Sequence, residues 1–323
     1  MDRQVSRASP RSKVFVARYL PDVTAGDDWG GPDLSGQVAV VTGASRGIGR
    51  GIADVLAACG ARTYIVARSV DSAPPGRTGT LTDLAEAIAS RGGEAVVAPC
   101  DLSNDAAVAS LFERIAADEG HLEIVVNNAV AWVQQDDGVQ GAEPTDAGPA
   151  PFMYQPPWFA PRWWWSANFD VGVRSHWLVT NAAAPLLTKG RRGVVFFTSE
   201  LSAQTPGEQE LVLDLRGTVV ERMAMLYSLH FRPHKVSSIL LYPGFVRTDA
   251  IERAYEAGSS YFDGWTREQF EAKTCSLQFP GRAAATLAAD ERLIEKTGRV
   301  LTAVDVAKDY GFTDTSGVIP SPL

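Results

Sequence analysis

The sequence predicts an α/β fold: a doubly wound sheet of parallel strands, built as a single domain with extended loops. Three observations predict it. Short apolar runs alternate with longer stretches of helical period along most of the chain, the pattern of strand–helix–strand crossovers. A glycine-rich turn, Thr42-Gly43-Ala44-Ser45-Arg46-Gly47-Ile48-Gly49, follows the first apolar run and opens the first helical stretch. The other distinctive segments fall at the carboxyl ends of later apolar runs, where such sheets bind ligands.

Residues 1–36 read as an irregular N-terminal extension, with Pro10, Pro21 and Pro32, a Gly/Asp/Trp cluster, and a short ordered piece at 14–20. Val38–Val41 is the first strand, and the helix after the turn runs toward Gly60. Strands are expected at 63–67, 95–98, 124–127, 194–198, 235–242 and 300–302. Helices are expected at 81–91, with Thr80 or Thr82 as cap, and at 105–119, 166–187, 212–231 and 281–289. Residues 37–312 therefore form the Rossmann-type domain, and 313–323 a tail. Two connections exceed the usual length. Residues 131–165 are rich in proline and end in Pro161-Arg162-Trp163-Trp164-Trp165. Residues 250–279 carry Tyr255, Tyr261, Phe262, Trp265 and Phe270. The three tryptophans cannot all share one face; packing or a flat apolar wall for a ligand are the two uses open to them.

The 323 residues carry a net charge of −8 and no basic run, which argues against a nucleic-acid surface. No stretch approaches 18 uninterrupted apolar residues, so no membrane span is expected. Cys59, Cys100 and Cys275 match neither a disulfide framework nor a zinc pattern; no metal is expected, and a reducing cytoplasm fits.

The turn carries its own chemistry. Gly43 permits the tight bend, Gly47 lets backbone approach phosphate, and Gly49 lets the helix pack close to the strand. The helix N-terminus then offers N–H donors and a partial positive charge to a pyrophosphate. An acidic residue at the end of the second strand would bind the 2′-hydroxyl of NAD. This chain has Ala67-Arg68-Ser69 there. Arg46 and Arg68 suit a 2′-phosphate, so NADP(H) is the expected cofactor.

Together with Asn127-Asn128-Ala129 and Pro243-Gly244-Phe245-Val246-Arg247-Thr248, the turn spacing resembles the short-chain dehydrogenase/reductase family over about residues 36–310. The stretches 279–283 and 297–312 look most like a subgroup allied to the human family's member one. The resemblance implies a cofactor site made by Thr42, Gly43, Ser45, Arg46, Gly47, Ile48 and Gly49, with Arg68. Asp101 and Leu102 fall at the adenine edge, and Asn128 and Ala129 at the ribose. Pro243, Gly244, Val246 and Thr248 fall at the carboxamide and phosphates. Residues 250–279 match the substrate lid, and the two long helices match the family's dimer and tetramer surfaces.

The same resemblance exposes a gap. The family works with a Tyr-x-x-x-Lys pair, yet no tyrosine occurs from 155 to 226 and no lysine from 190 to 234. Ser199 matches the serine that bonds a substrate carbonyl. Counting on from it puts Leu213 at the tyrosine position and Gly217 at the lysine position. Gly172 falls at the family's helix asparagine, with Asn168 one turn earlier as a substitute. Among nearby polar residues (Glu200, Glu208, Glu210, Asp214, Arg216), Glu210 shares a helical face with Leu213, and Arg216 adjoins the lost lysine. Losing a general acid costs on the order of 10² to 10⁴ in rate, so another donor is required or the substrate needs none.

The expected function is an atypical NADP(H)-dependent oxidoreductase. It acts on an activated, apolar small molecule of the kind met in secondary metabolism. Ser199, Glu210, Arg216 and Asn168 form the reacting site of a homodimer or homotetramer. A non-redox enzyme on the same scaffold (dehydratase, isomerase or cyclase) and a catalytically silent binding partner are the alternatives.

Overall fold

A computed structural model describes residues 29–73, 78–131, 156–190, 192–199 and 211–321. Seven strands make one sheet: β1 (Val38–Thr42), β2 (Arg62–Ala67), β3 (Ala95–Pro99), β4 (Ile124–Asn127), β5 (Gly193–Thr198), β6 (Val236–Tyr242) and β7 (Val300–Thr302). Their order is β3-β2-β1-β4-β5-β6-β7, and every pairing is parallel. The order reverses between β1 and β4, so a crevice opens at their carboxyl ends. Both faces of β1 and β4 are buried, which explains why these strands read as unbroken apolar runs rather than alternating ones.

Helices cover both faces. On one side lie α1 (Gly47–Ala58), α2 (Leu81–Ser90), α9 (Gln278–Ala289) and α10 (Ala303–Tyr310), packed on Val41, Ile65, Val126 and Phe196. On the other lie α3 (Asp105–Asp118), α5 (Arg174–Leu187) and α6 (Leu211–Phe231), packed on Val40, Tyr64, Val125 and Phe197. Side chains start several of them. Thr80 caps α2, accepting from the Asp83 N–H, and Asn104 caps α3. α1 and α9 cross on bare backbone: a Cβ on Gly51 would lie 1.9 Å from the Leu277 carbonyl oxygen. One on Gly281 would lie 2.8 Å from that of Gly51.

The structure moves several boundaries. The helix expected to begin at Ser166 begins earlier, with α4 (Arg162–Ser166) on the tryptophan run. It continues through a π-helical turn at Ala167–Val173 into α5. Trp163 and Trp164 are buried with Ala131, Ala167 and Val212, while half-exposed Trp165 stacks on Phe169 at 4.2 Å. The last expected helix starts at Gln278, not Gly281. Residues 250–279, expected as a lid, carry regular structure, with α7 (Asp249–Glu256) and α8 (Arg267–Lys273) around an aromatic cluster of Phe245, Tyr255, Phe262 and Phe270. Most of residues 1–36, most of 131–165, and 200–210 lie outside the described residues.

Candidate functional site

The crevice at the β1–β4 switch is held by Thr42 and Asn128. The buried Thr42 hydroxyl donates to the Val126 carbonyl at 3.1 Å and accepts from the N–H groups of Asn128 and Ala129. Asn128 Nδ2 donates back to the Thr42 carbonyl at 3.1 Å, and its Oδ1 accepts from Thr198 Oγ1 at 3.2 Å. Three strand ends are thus fixed to one another. Little room is left beside them. Gly43 sits at φ +69°, and a Cβ there would lie 2.9 Å from Asn128 Nδ2. A Cβ on Gly49 would lie 2.4 Å from the same nitrogen and 2.5 Å from the Gly43 carbonyl oxygen.

Gly47 is different. Its φ is +55°, and only the Thr248 side chain lies within 4 Å of where a Cβ would stand, at 3.4 Å. Backbone there faces open space at the N-terminus of α1. That cradle fits a pyrophosphate: the N–H donors of a first helical turn, no side chain, and a helix dipole pointing outward. Ile48 packs against the core beneath it, and the Ser45 carbonyl accepts from the buried Arg50 guanidinium at 3.4 Å.

The end of β2 gathers positive charge. Arg46 Nη2 donates to Ser69 Oγ at 3.2 Å, so the turn reaches the end of β2. Arg68 beside it is exposed. At the end of β3, Asp101 Oδ1 accepts from the Ser103 N–H and hydroxyl at 3.0 and 2.7 Å. Partial burial works against this carboxylate, but the two Ser103 bonds and the charge of Arg68 hold its pKa below the ordinary value. Leu102 is buried in the core below.

Segments from the two halves of the sheet meet across the turn. After β6, Pro243 is buried, Gly244 takes φ +86°, and Val246 bridges to Cys275. Thr248 caps α7. The next residue, Asp249, accepts a hydrogen bond from the Thr78 hydroxyl, and Thr78 belongs to the stretch that follows β2. Adjacent Gly79 lies against the turn, its would-be Cβ 2.4 Å from the Ser45 carbonyl oxygen. Ser69, Thr78, Arg50 and Asp249 were not identifiable from the sequence. Only the position of Ser69, directly after Arg68, carried a signal.

Beyond β5 the chemistry changes. Ser199 directly follows the strand; the residue is 7% exposed, and its hydroxyl is buried without a hydrogen-bond partner among the described residues. Leu213, on α6, packs into the tryptophan cluster, so that position presents hydrocarbon. Arg216, also on α6, is 7% exposed and donates from Nη1 to Asn168 Oδ1 at 3.1 Å. Asn168, 1% exposed on the π turn, donates from Nδ2 to the Trp164 carbonyl at 2.8 Å. A Cβ on Gly172 would lie 3.1 Å from Arg216 Cδ and 3.3 Å from Val130, so the missing side chain makes room for the arginine. Asn168 and Arg216 are therefore brought together; Glu210 lies outside the described residues.

His176 completes this side. It is fully buried on α5, and its Nε2 donates to the Ala129 carbonyl at 3.2 Å, which leaves Nδ1 as a bare acceptor. Burial and then the charge of Arg216 push its pKa down to about 3, so it is a neutral strut at working pH. Among the described residues no group of three or more His, Cys, Asp or Glu is placed to hold a metal ion. No described helix is long and apolar enough to cross a membrane.

Comparison with known proteins agrees with this geometry. The profile of the short chain dehydrogenase family matches residues 37–258. The human protein called dehydrogenase/reductase SDR family member 1 is 30% identical over 292 residues, covering 88% of this chain and 85% of its own. A tetrahydroxynaphthalene reductase of Pestalotiopsis fici is 26% identical over 257 residues, covering 78% of this chain and 82% of its own. The crystal structure of a metagenomic short-chain oxidoreductase in complex with NADP superposes with a TM-score of 0.60 at 26% identity. It covers 83% of this chain and 96% of the other.

Proposed function

The chain belongs to the short-chain dehydrogenase/reductase family, and from that premise we propose that it is an NADP(H)-dependent oxidoreductase with a non-standard proton donor. The observation that carries the cofactor reading is the corner formed by Arg46, Ser69 and Arg68 beside an open Gly47 cradle. Two guanidinium groups and a hydroxyl complement a 2′-phosphate, and β2 ends without the carboxylate that would favour a free 2′-hydroxyl. The NADP-bound metagenomic relative supports the same choice. When bound, the nicotinamide supplies the redox chemistry. This chain's residues orient the substrate, with Ser199 donating to its oxygen from a dry strand end. Leu213 contributes shape only, so the proton comes from water or from a carboxyl group such as Glu210. An activated substrate, whose developing negative charge is already delocalised, fits that arrangement, and the similarity to a fungal tetrahydroxynaphthalene reductase supports an aromatic one.

We also propose a homodimer or homotetramer built on α5 and α6. Trp177, Val219, Met225, Leu226 and Leu229 are exposed on these helices while the opposite faces fill the core. A helix apolar all round is a buried helix. Light scattering on the purified chain tests this; a monomer at micromolar concentration would refute it.

Fluorescence titration with both reduced cofactors tests the cofactor reading. NADPH is expected to bind at least about tenfold tighter than NADH, one charge-assisted phosphate contact being worth about that. Arg68→Ala should narrow the gap. Equal affinities in the native chain would sink the proposal.

A further inference from the structure

We infer that Arg216 is a cofactor-binding residue that takes the hydroxyls of the ribose on the nicotinamide side, an inference that rests on the NADP(H) reading above. The geometry defines where that ribose lies. The turn at Gly47 takes the pyrophosphate, and the Arg46–Ser69 corner at β2 takes the adenosine side. A dinucleotide crosses the switch between β1 and β4, so its second nucleoside lies over the ends of β4 and β5.

Arg216 is delivered to that half. Its Cδ and Val130, three residues past the end of β4, are both within van der Waals reach of the space above Gly172. Its charge is felt by His176, whose ring bonds the Ala129 carbonyl. The π turn makes the mount. Asn168 is pinned to the Trp164 carbonyl and turns its own oxygen to the guanidinium. A guanidinium presents five donors in a fixed plane, two of which match adjacent hydroxyls on one edge of a ribose. Three features thus serve one placement: the glycine at 172, the buried asparagine at 168 and the arginine at 216. A surface arginine would need none of them.

The test separates the two halves of the cofactor. The full chain is titrated calorimetrically with NADPH and with 2′,5′-ADP, which keeps the phosphorylated adenosine and lacks the second ribose. Arg216→Met should weaken NADPH about tenfold or more, the worth of a hydrogen bond to a charged group, and leave 2′,5′-ADP within about twofold. Arg216→Lys should recover part of the loss. Gly172→Val, which drives a side chain into Arg216 Cδ, should repeat the Arg216→Met contrast. If Arg216→Met does not fold by thermal melting, Arg216→Gln, which keeps a donor toward Asn168, reads the same contrast. Unchanged NADPH affinity overturns the inference, as does an equal loss for both ligands, which marks a structural role. So does a variant with native NADPH affinity that fails only toward carboxylate-bearing substrates, because the arginine then serves the substrate. Native protein that binds neither ligand refutes the cofactor reading itself.

Discussion

The two ends of the crevice are built on opposite terms. At the β1–β4 end, Thr42, Asn128 and Thr198 satisfy one another through hydrogen bonds of 2.9–3.2 Å, and glycines stand wherever a Cβ would strike backbone or amide. At the β5–α6 end, the Ser199 hydroxyl and His176 Nδ1 are buried polar groups without partners among the described residues, and hydrocarbon occupies the Leu213 position. Such atoms are costly where nothing bonds them. The end tied together by these bonds is committed to one geometry, although Asn127 Oδ1 at the end of β4 is buried there without a partner among the described residues. A site with unpartnered atoms keeps capacity for a ligand that differs from relative to relative.

That contrast breaks most sharply at Gly49. Gly49→Ala forces a methyl group against Asn128 Nδ2 and the Gly43 carbonyl, and overpacking of this kind costs about 1–3 kcal/mol. Urea unfolding should show that loss, and NADPH affinity should fall with it. An unchanged midpoint and native affinity would mean that the partnered end is more pliable than its contacts imply.

At the other end, His176 tests whether the buried acceptor is neutral. Its folded pKa, about 3, lies below the unfolded value of about 6.5, so the unfolded chain binds the proton more readily. The stability tied to the neutral ring is complete above about pH 6.5 and drains away as the pH falls toward 3. By pH 5 the loss is about 2 kcal/mol. Denaturation of the native chain and of His176→Asn from pH 8 to pH 5 should show a steeper decline in the native protein. Parallel slopes would refute the assignment.

The smallest effect is expected from rebuilding the missing pair. Leu213→Tyr with Gly217→Lys would place, at the positions matched to the family's pair, a donor whose pKa a cation lowers, and weak carbonyl reduction should appear where the native chain is expected to show little. Gly217 is buried, so melting curves must first show that the double variant folds. A folded, NADPH-binding, inert variant would favour a non-redox reaction on this scaffold.

The fold was legible because its signals are local. Buried parallel strands read as apolar runs, and Gly43, Gly47 and Gly49 stand where backbone must bend or approach. The same holds for the hydrogen-bonded end of the crevice, whose geometry those glycines announce. The chemical end was legible only as a gap. Arg216 and Asn168 could be named from the sequence, but not their contact. An α-helical count through residues 166–187 places side chains by 3.6 residues per turn, whereas residues 167–173 form a π turn with a wider repeat. No residue pattern announces such a turn. The tryptophan run misled for a similar reason: its prolines read as loop, yet Pro161 immediately precedes α4, where proline's fixed φ suits a helix start.

The link between Thr78 and Asp249 has a consequence for traffic. It joins the segment after β2 to the segment after β6, two strands separated in the sheet by β1, β4 and β5. With Gly79 against the turn and Thr248 beside Gly47, this contact lies next to the backbone that the proposed pyrophosphate would meet. A contact beside the path of a ligand acts on how fast the ligand comes and goes. On the proposed NADP(H) reading, the Thr78–Asp249 bond would therefore bear on the residence time of the cofactor rather than on how tightly it is held.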